Sequence, residues 1–230
     1  MSALLLPVIA VQGAWVRLRT ERLPEAGGPA EGRTGTGDGA PLRVAVLGES
    51  TAAGCGVGTH EEGFAGCLAR ELAERSGRPV SWEAAGRNSV TSDVIRRELL
   101  PRVGKDLDVA VLLAGVGDVL HLRSPAAWGA DLAAIADALG ERAERVAVAG
   151  VPPFGAFPSL PGTLRRYLAG RADALDAESR RVCAERPRAT WVGSAGIAPV
   201  GPDFFARDRF HPSASGYRRW AELIADALAR

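Results

Sequence analysis

Three side chains in this sequence could pass a proton among themselves: Ser50, Asp208 and His211. A serine hydroxyl is a weak nucleophile unless an imidazole takes its proton, and a carboxylate on the far ring nitrogen then fixes the tautomer. Asp208-Arg209-Phe210-His211 supplies the imidazole and the carboxylate within one turn. Three residues of spacing let the Asp208 carboxylate reach Nδ1 of His211 and leave Nε2 facing outward. Ser50 lies far away in the chain, in Gly48-Glu49-Ser50-Thr51, directly after an apolar run. Taken alone, Asp-x-x-His is a weak signal. Combined with a serine at a strand-to-turn position, and with Pro212 and Ser213 opening a final helix, it becomes a strong one.

The elements that must position these groups follow from the hydrophobic pattern. Val/Leu/Ala runs without polar alternation predict strands at 42–47, 80–84, 108–113, 145–150 and 190–192, buried on both faces. Helical periodicity predicts helices at 64–76, 92–102, 126–140, 164–185 and 213–229. Five βα units with right-handed crossovers imply an α/β fold: a three-layer sandwich around a five-stranded parallel sheet. Ser50 then sits at the carboxyl edge of that sheet, where open α/β folds bind ligands. In the last helix Tyr217, Trp220, Ile224 and Leu228 share one face, a core stripe. The proline-rich connection 151–163 leaves the same edge, and its Phe154 and Phe157 could wall an apolar substrate pocket or cap the core.

Ahead of the first strand, residues 1–41 read as an apolar segment followed by a linker. Residues 2–16 are too short an apolar run to span a bilayer and carry their arginines after it, so they predict a helix packed on the domain or lying at a membrane surface. Residues 24–41 are Gly/Pro-rich and aperiodic, which predicts a flexible linker or surface loop. Residues 42–230 form the expected catalytic unit.

With these residues in place, the chain resembles the SGNH/GDSL-type esterases and lipases. Gly48-Glu49-Ser50-Thr51 is similar to that family's first block, with Glu49 where Asp is usual, and Asp208 to Ser213 is similar to its last. The resemblance covers about 42–229 and implies a flavodoxin-like sheet and hydrolysis of a small acyl ester. It also implies Ser50 as nucleophile, His211 as general base and acid, and Asp208 as orienting carboxylate. Two middle blocks depart from the pattern. The glycine whose backbone N–H donates to the oxyanion is matched by Ser89, with Gly86 the other candidate. The oxyanion-donating Asn of the third block is replaced by Gly117. Asn88 could swing its amide in to compensate, and Gly117 could enlarge the pocket. Ser50, Ser89, Asn88 and Gly117 are therefore the expected oxyanion region.

The remaining composition bounds the alternatives. A net charge of +1 argues against nucleic acid as a partner. The three cysteines, Cys55, Cys67 and Cys183, have neither disulfide nor metal arithmetic, so reduced thiols and a cytoplasmic setting are expected. Cys55 reads as a small buried hydrophobe. No metal and no cofactor is expected: His60 and His121 lack ligand spacing, and the glycines at 54, 56 and 58 fit neither a dinucleotide fingerprint nor a P-loop. Arg87 could hold a substrate carboxylate or phosphate, or simply be solvated. An acyltransferase or cyclising enzyme with the same three residues, and a binding protein that has lost catalysis through Gly117, are the competing functions.

Overall fold

The computed structural model describes residues 5–197, 201 and 203–229. Residues 1–4 of the expected N-terminal segment, and 198–200, 202 and 230 of the expected catalytic unit, lie outside the described residues. The strands are β1 (Glu31–Thr34), β2 (Leu42–Gly48), β3 (Val80–Gly86), β4 (Leu107–Leu113), β5 (Ala143–Ala149) and β6 (Ala189–Val192). The helices are α1 (Leu6–Arg19), α2 (Phe64–Ser76), α3 (Ser92–Val94), α4 (Val116–Leu120), α5 (Pro125–Gly140), α6 (Gly162–Ala184) and α7 (Ala214–Leu228).

The strand order is β1-β3-β2-β4-β5-β6. The five strands from β2 to β6 are parallel, as their apolar runs predict. Their order reverses at β2, which lies between β3 and β4, so the crevice outside the ends of β2 and β4 is the topological switch point. Ser50 follows β2 by two residues and the Gly115–Asp118 turn follows β4.

Alternate residues of each strand feed two cores, because successive Cβ atoms point to opposite faces. Val44, Val46, Val109 and Val111 pack with Phe64 and Leu68 of α2 and Trp220 and Ile224 of α7. Ala45, Leu47, Ala110 and Leu112 pack with Leu132 and Ile135 of α5 and Leu168 and Leu175 of α6. Each fully buried Val, Leu, Ile or Phe contributes about 1.5–3 kcal/mol. Their continuity along the strands is what holds β2 and β4 rigidly side by side.

The sheet differs from the expected five strands at one edge. Residues 31–34, inside the stretch expected to be linker, pair antiparallel with β3, from Glu31 opposite Glu83 to Thr34 opposite Val80. β1 has no apolar residue, so hydrophobic pattern could not reveal it. Gly32 allows the pairing, since a Cβ there would stand 2.6 Å from the Trp82 ring. The expected helix 92–102 is also not one helix. α3 passes into a π turn at Ile95–Leu99 and a 3₁₀ turn at Leu100–Arg102. Pro101 is the cause, because it can neither donate to the preceding turn nor avoid its carbonyl. The irregular path still buries Ile95 and Leu99 completely.

Residues 5–30 pack on the domain rather than trailing from it. The Gln12 side-chain oxygen accepts the N–H of Leu164 at 2.9 Å, in the first turn of α6. Further on, Ala26 N–H donates to the Ala53 carbonyl, Gly27 N–H to that of Gly58, and Asn88 N–H to the Glu25 carboxylate at 2.6 Å.

Candidate active site

His211 is presented by a narrow loop folded back on itself. Ala206 N–H donates to the His211 carbonyl and Ser213 N–H to that of Phe204. At its tip Arg209 takes a left-handed backbone conformation, φ 58°. That turn lets one Asp208 oxygen accept the N–H groups of Phe210 and His211, both at 3.0 Å, while the other lies 2.6 Å from His211 Nδ1. The Asp208 side chain is fully buried. Burial on its own would raise the Asp208 pKa, but the His211 bond, the two N–H bonds and the nearby imidazole outweigh it and hold the carboxyl below its ordinary range. The carboxylate therefore stays ionised, and with Nδ1 bound to it the Nε2 of His211 is left as an acceptor.

Ser50 is buried at the end of β2, in a turn where Cys55 N–H donates to the Ser50 carbonyl. Two contacts dock this turn on the His211 loop. The Tyr217 hydroxyl donates to the Cys55 carbonyl at 2.6 Å, and Gly56, at φ 105°, passes so close to the Pro212 carbonyl that a Cβ would stand 2.3 Å from it. Ser50 and His211 consequently line one apolar cleft, with Val116, Pro152, Pro153, Phe157, Phe205 and Phe210 among its walls. Their side chains share no hydrogen bond among the described residues. In many sites of this kind such a bond forms only once substrate is bound.

Phe157 stacks at 4.9 Å on Phe154 and touches Phe210 at the same centroid distance. Phe154 itself is fully buried behind it and does not line the cleft. Arg87 donates to Glu98 at 2.8 Å, away from the cleft. Ser89 adopts φ 58°, the region where glycine is at no disadvantage, and its hydroxyl donates to the Asn88 side-chain oxygen at 3.2 Å. The backbone N–H groups of Ser50 and Ser89 have no acceptor among the described residues. Cys55 is buried, and burial first, then the charges of Glu25 and Asp208, push its thiol up to about 12, so it is inert. His121 Nδ1 lies 2.8 Å from the Gly117 carbonyl and belongs to the α4 turn.

Gly117 does not enlarge the cleft. A Cβ there would lie 1.9 Å from the Val90 carbonyl oxygen and 2.9 Å from the Glu49 carboxylate, so the space is already occupied. Glu49, beside the serine, reaches across to α4 and accepts the N–H groups of Val116 at 2.8 Å and Gly117 at 2.7 Å. Burial pushes its pKa up to about 8. The two N–H bonds oppose that rise and the charge of Asp118 adds to it. Asp118 in turn accepts both the backbone N–H and the hydroxyl of Ser92, tying the turn after β4 to the one after β3. The Arg123 guanidinium bridges Asp118 and Asp131 from the outer side. Glu49 and Tyr217 tie these turns together, and the motif reading left both out. Glu49 looked like a mere replacement for Asp, and Tyr217 like one more member of a core stripe.

Residues 46–219 match the model of the GDSL-like lipase/acylhydrolase family. The GDSL-like esterase Rv1075c of Mycobacterium tuberculosis is 29% identical over 202 residues, which span 81% of this chain and 62% of that protein, so the chain covers under two thirds of that relative. Among solved structures, the fold is similar to a lipase/acylhydrolase from Enterococcus faecalis, with TM-score 0.63, 20% identity, and 81% of this chain against 95% of that one covered. It is also similar to AlinE4, an SGNH-hydrolase family esterase, with TM-score 0.59, 22% identity, and 83% against 96% covered. Among the described residues no group of His, Cys, Asp and Glu is arranged to hold a metal ion.

Proposed function

Because the chain belongs to the GDSL-like lipase/acylhydrolase family, we propose that it hydrolyses a carboxylic ester through an acyl-enzyme at Ser50. The observation that carries this reading is the buried Asp208–His211 pair opening on the same cleft as Ser50. Ser50 Oγ attacks the ester carbonyl carbon while its proton passes to His211 Nε2. The carbonyl oxygen becomes an oxyanion, held by the backbone N–H groups of Ser50 and Ser89. Collapse breaks the bond to the alcohol oxygen, which takes the proton back from Nε2. Water then repeats the sequence on the acyl-enzyme, releasing the acid and restoring Ser50. Asp208 remains ionised throughout and stabilises the imidazolium.

The Gly117 N–H is excluded from the oxyanion site because it already donates to Glu49. Loss of one donor lowers turnover by roughly 10²–10³ in such sites, so a modest kcat is expected. The walls favour an uncharged, apolar acyl group, and Arg87, paired with Glu98, offers no charge for a substrate carboxylate. The test is hydrolysis of p-nitrophenyl esters of increasing acyl length by the full chain. The wild type should turn over the esters, and Ser50→Ala should be slower by more than about a thousandfold. Equal rates in the two proteins would overturn the proposal.

A further inference from the structure

Helix α1 carries two apolar faces, and the protein uses only one. Ile9, Gln12 and Val16 face the domain, with Gln12 bound to the start of α6. On the other side Val8, Val11, Trp15 and Leu18 recur at intervals of three, four and three, which places them along one stripe. They are open to solvent, Val11 at 70%, Trp15 at 51% and Leu18 at 85%. An exposed apolar row of this length on a protein surface marks a contact site.

Charge selects the occupant. Arg19 borders the stripe and Arg22 follows it, both exposed, and no acidic residue occurs before Glu21. A tryptophan within an apolar row bordered by arginines is the composition of a helix that lies in the headgroup plane. We propose that α1 is a docking face for an anionic lipid surface, with Val8, Val11, Trp15 and Leu18 among the acyl chains and Arg19 and Arg22 at the phosphates. The helix does not cross the bilayer: no helix among the described residues is long and apolar enough. Its anchor on α6 sits where the connection 151–161, carrying cleft residues Pro152, Pro153 and Phe157, meets that helix. Docking therefore brings the cleft to the place where apolar esters partition.

Co-sedimentation of the full chain with vesicles tests this without reference to turnover. The protein should pellet with vesicles containing phosphatidylglycerol and far less with phosphatidylcholine alone. Arg19→Ala and Arg22→Ala should each weaken binding roughly fivefold, as should added salt. The double variant Trp15→Glu, Leu18→Glu should lose binding while keeping the wild-type circular dichroism spectrum and rate on a soluble ester. Failure of the wild type to pellet with either vesicle, or unchanged pelleting of the double variant, would overturn the proposal. So would light scattering that shows a dimer dissociated by the same double variant, since a second copy would then cover the stripe. A chain that bound vesicles yet hydrolysed no ester would leave this inference standing and remove the proposed function.

Discussion

At the level of single residues, Glu49 and Gly117 have to be considered together. A carboxylate one methylene longer than the family's usual Asp reaches the N–H groups of Val116 and Gly117, and the missing side chain at 117 leaves room for it and for the Val90 carbonyl. Restoring the family's asparagine should therefore harm the protein. Gly117→Asn is expected to lose about 2–3 kcal/mol in urea denaturation, as overpacked sites do, with no gain in kcat. A variant as stable as wild type and faster would show that the asparagine finds both space and a productive orientation. Glu49 also gives a pH signature. Its folded-state pKa of about 8 lies above the ordinary 4.5. Between those values the unfolded chain has released the proton while the folded chain keeps it, so stability falls as pH rises, by at most about 1.4 kcal/mol per pH unit. Relative to Glu49→Gln, the wild type should lose stability from pH 5 to pH 8. A constant difference across that range would contradict the burial of a protonated acid.

At the level of elements, the loops after β2 and before α7 form one body because Tyr217 and Gly56 join them. Removing the Tyr217 hydroxyl leaves the Cys55 carbonyl without its partner. Tyr217→Phe should cost about 1–3 kcal/mol and lower kcat several-fold with little change in KM, because the Ser50 turn then sits less firmly against the His211 loop. Unchanged kinetics and stability would mean that the docking rests on packing alone. These elements also show what was legible beforehand. β2 to β6, α2 and α7 are strongly patterned, so periodicity placed each to within about two residues at either end. The Ser50, Asp208 and His211 motifs were readable because each is local in sequence. β1 was hidden because its strand rests on edge hydrogen bonds and a glycine, not on apolar residues. The five-residue α4 was hidden because it is capped from a distance by Glu49, and no local signal carries a contact sixty-seven positions long.

At the level of the whole molecule, residues 5–41 are part of the architecture that holds the site. They supply the sixth strand, cover α6 through α1, and set Glu25 on the backbone of Asn88 beside the expected oxyanion donors. A chain starting at residue 42 should therefore unfold at lower temperature than the full chain and hydrolyse esters more slowly. Equal melting temperature and rate would show that the domain beginning at β2 is self-sufficient.

The central claim is that Ser50 is an activated nucleophile served by His211. Covalent labelling with a fluorophosphonate, followed by peptide mapping, tests it without any guess at substrate. Modification is expected at Ser50 alone, with labelling lost in Ser50→Ala and strongly slowed in His211→Ala. Absence of labelling in the folded wild type, or label mapped to another residue, would contradict it.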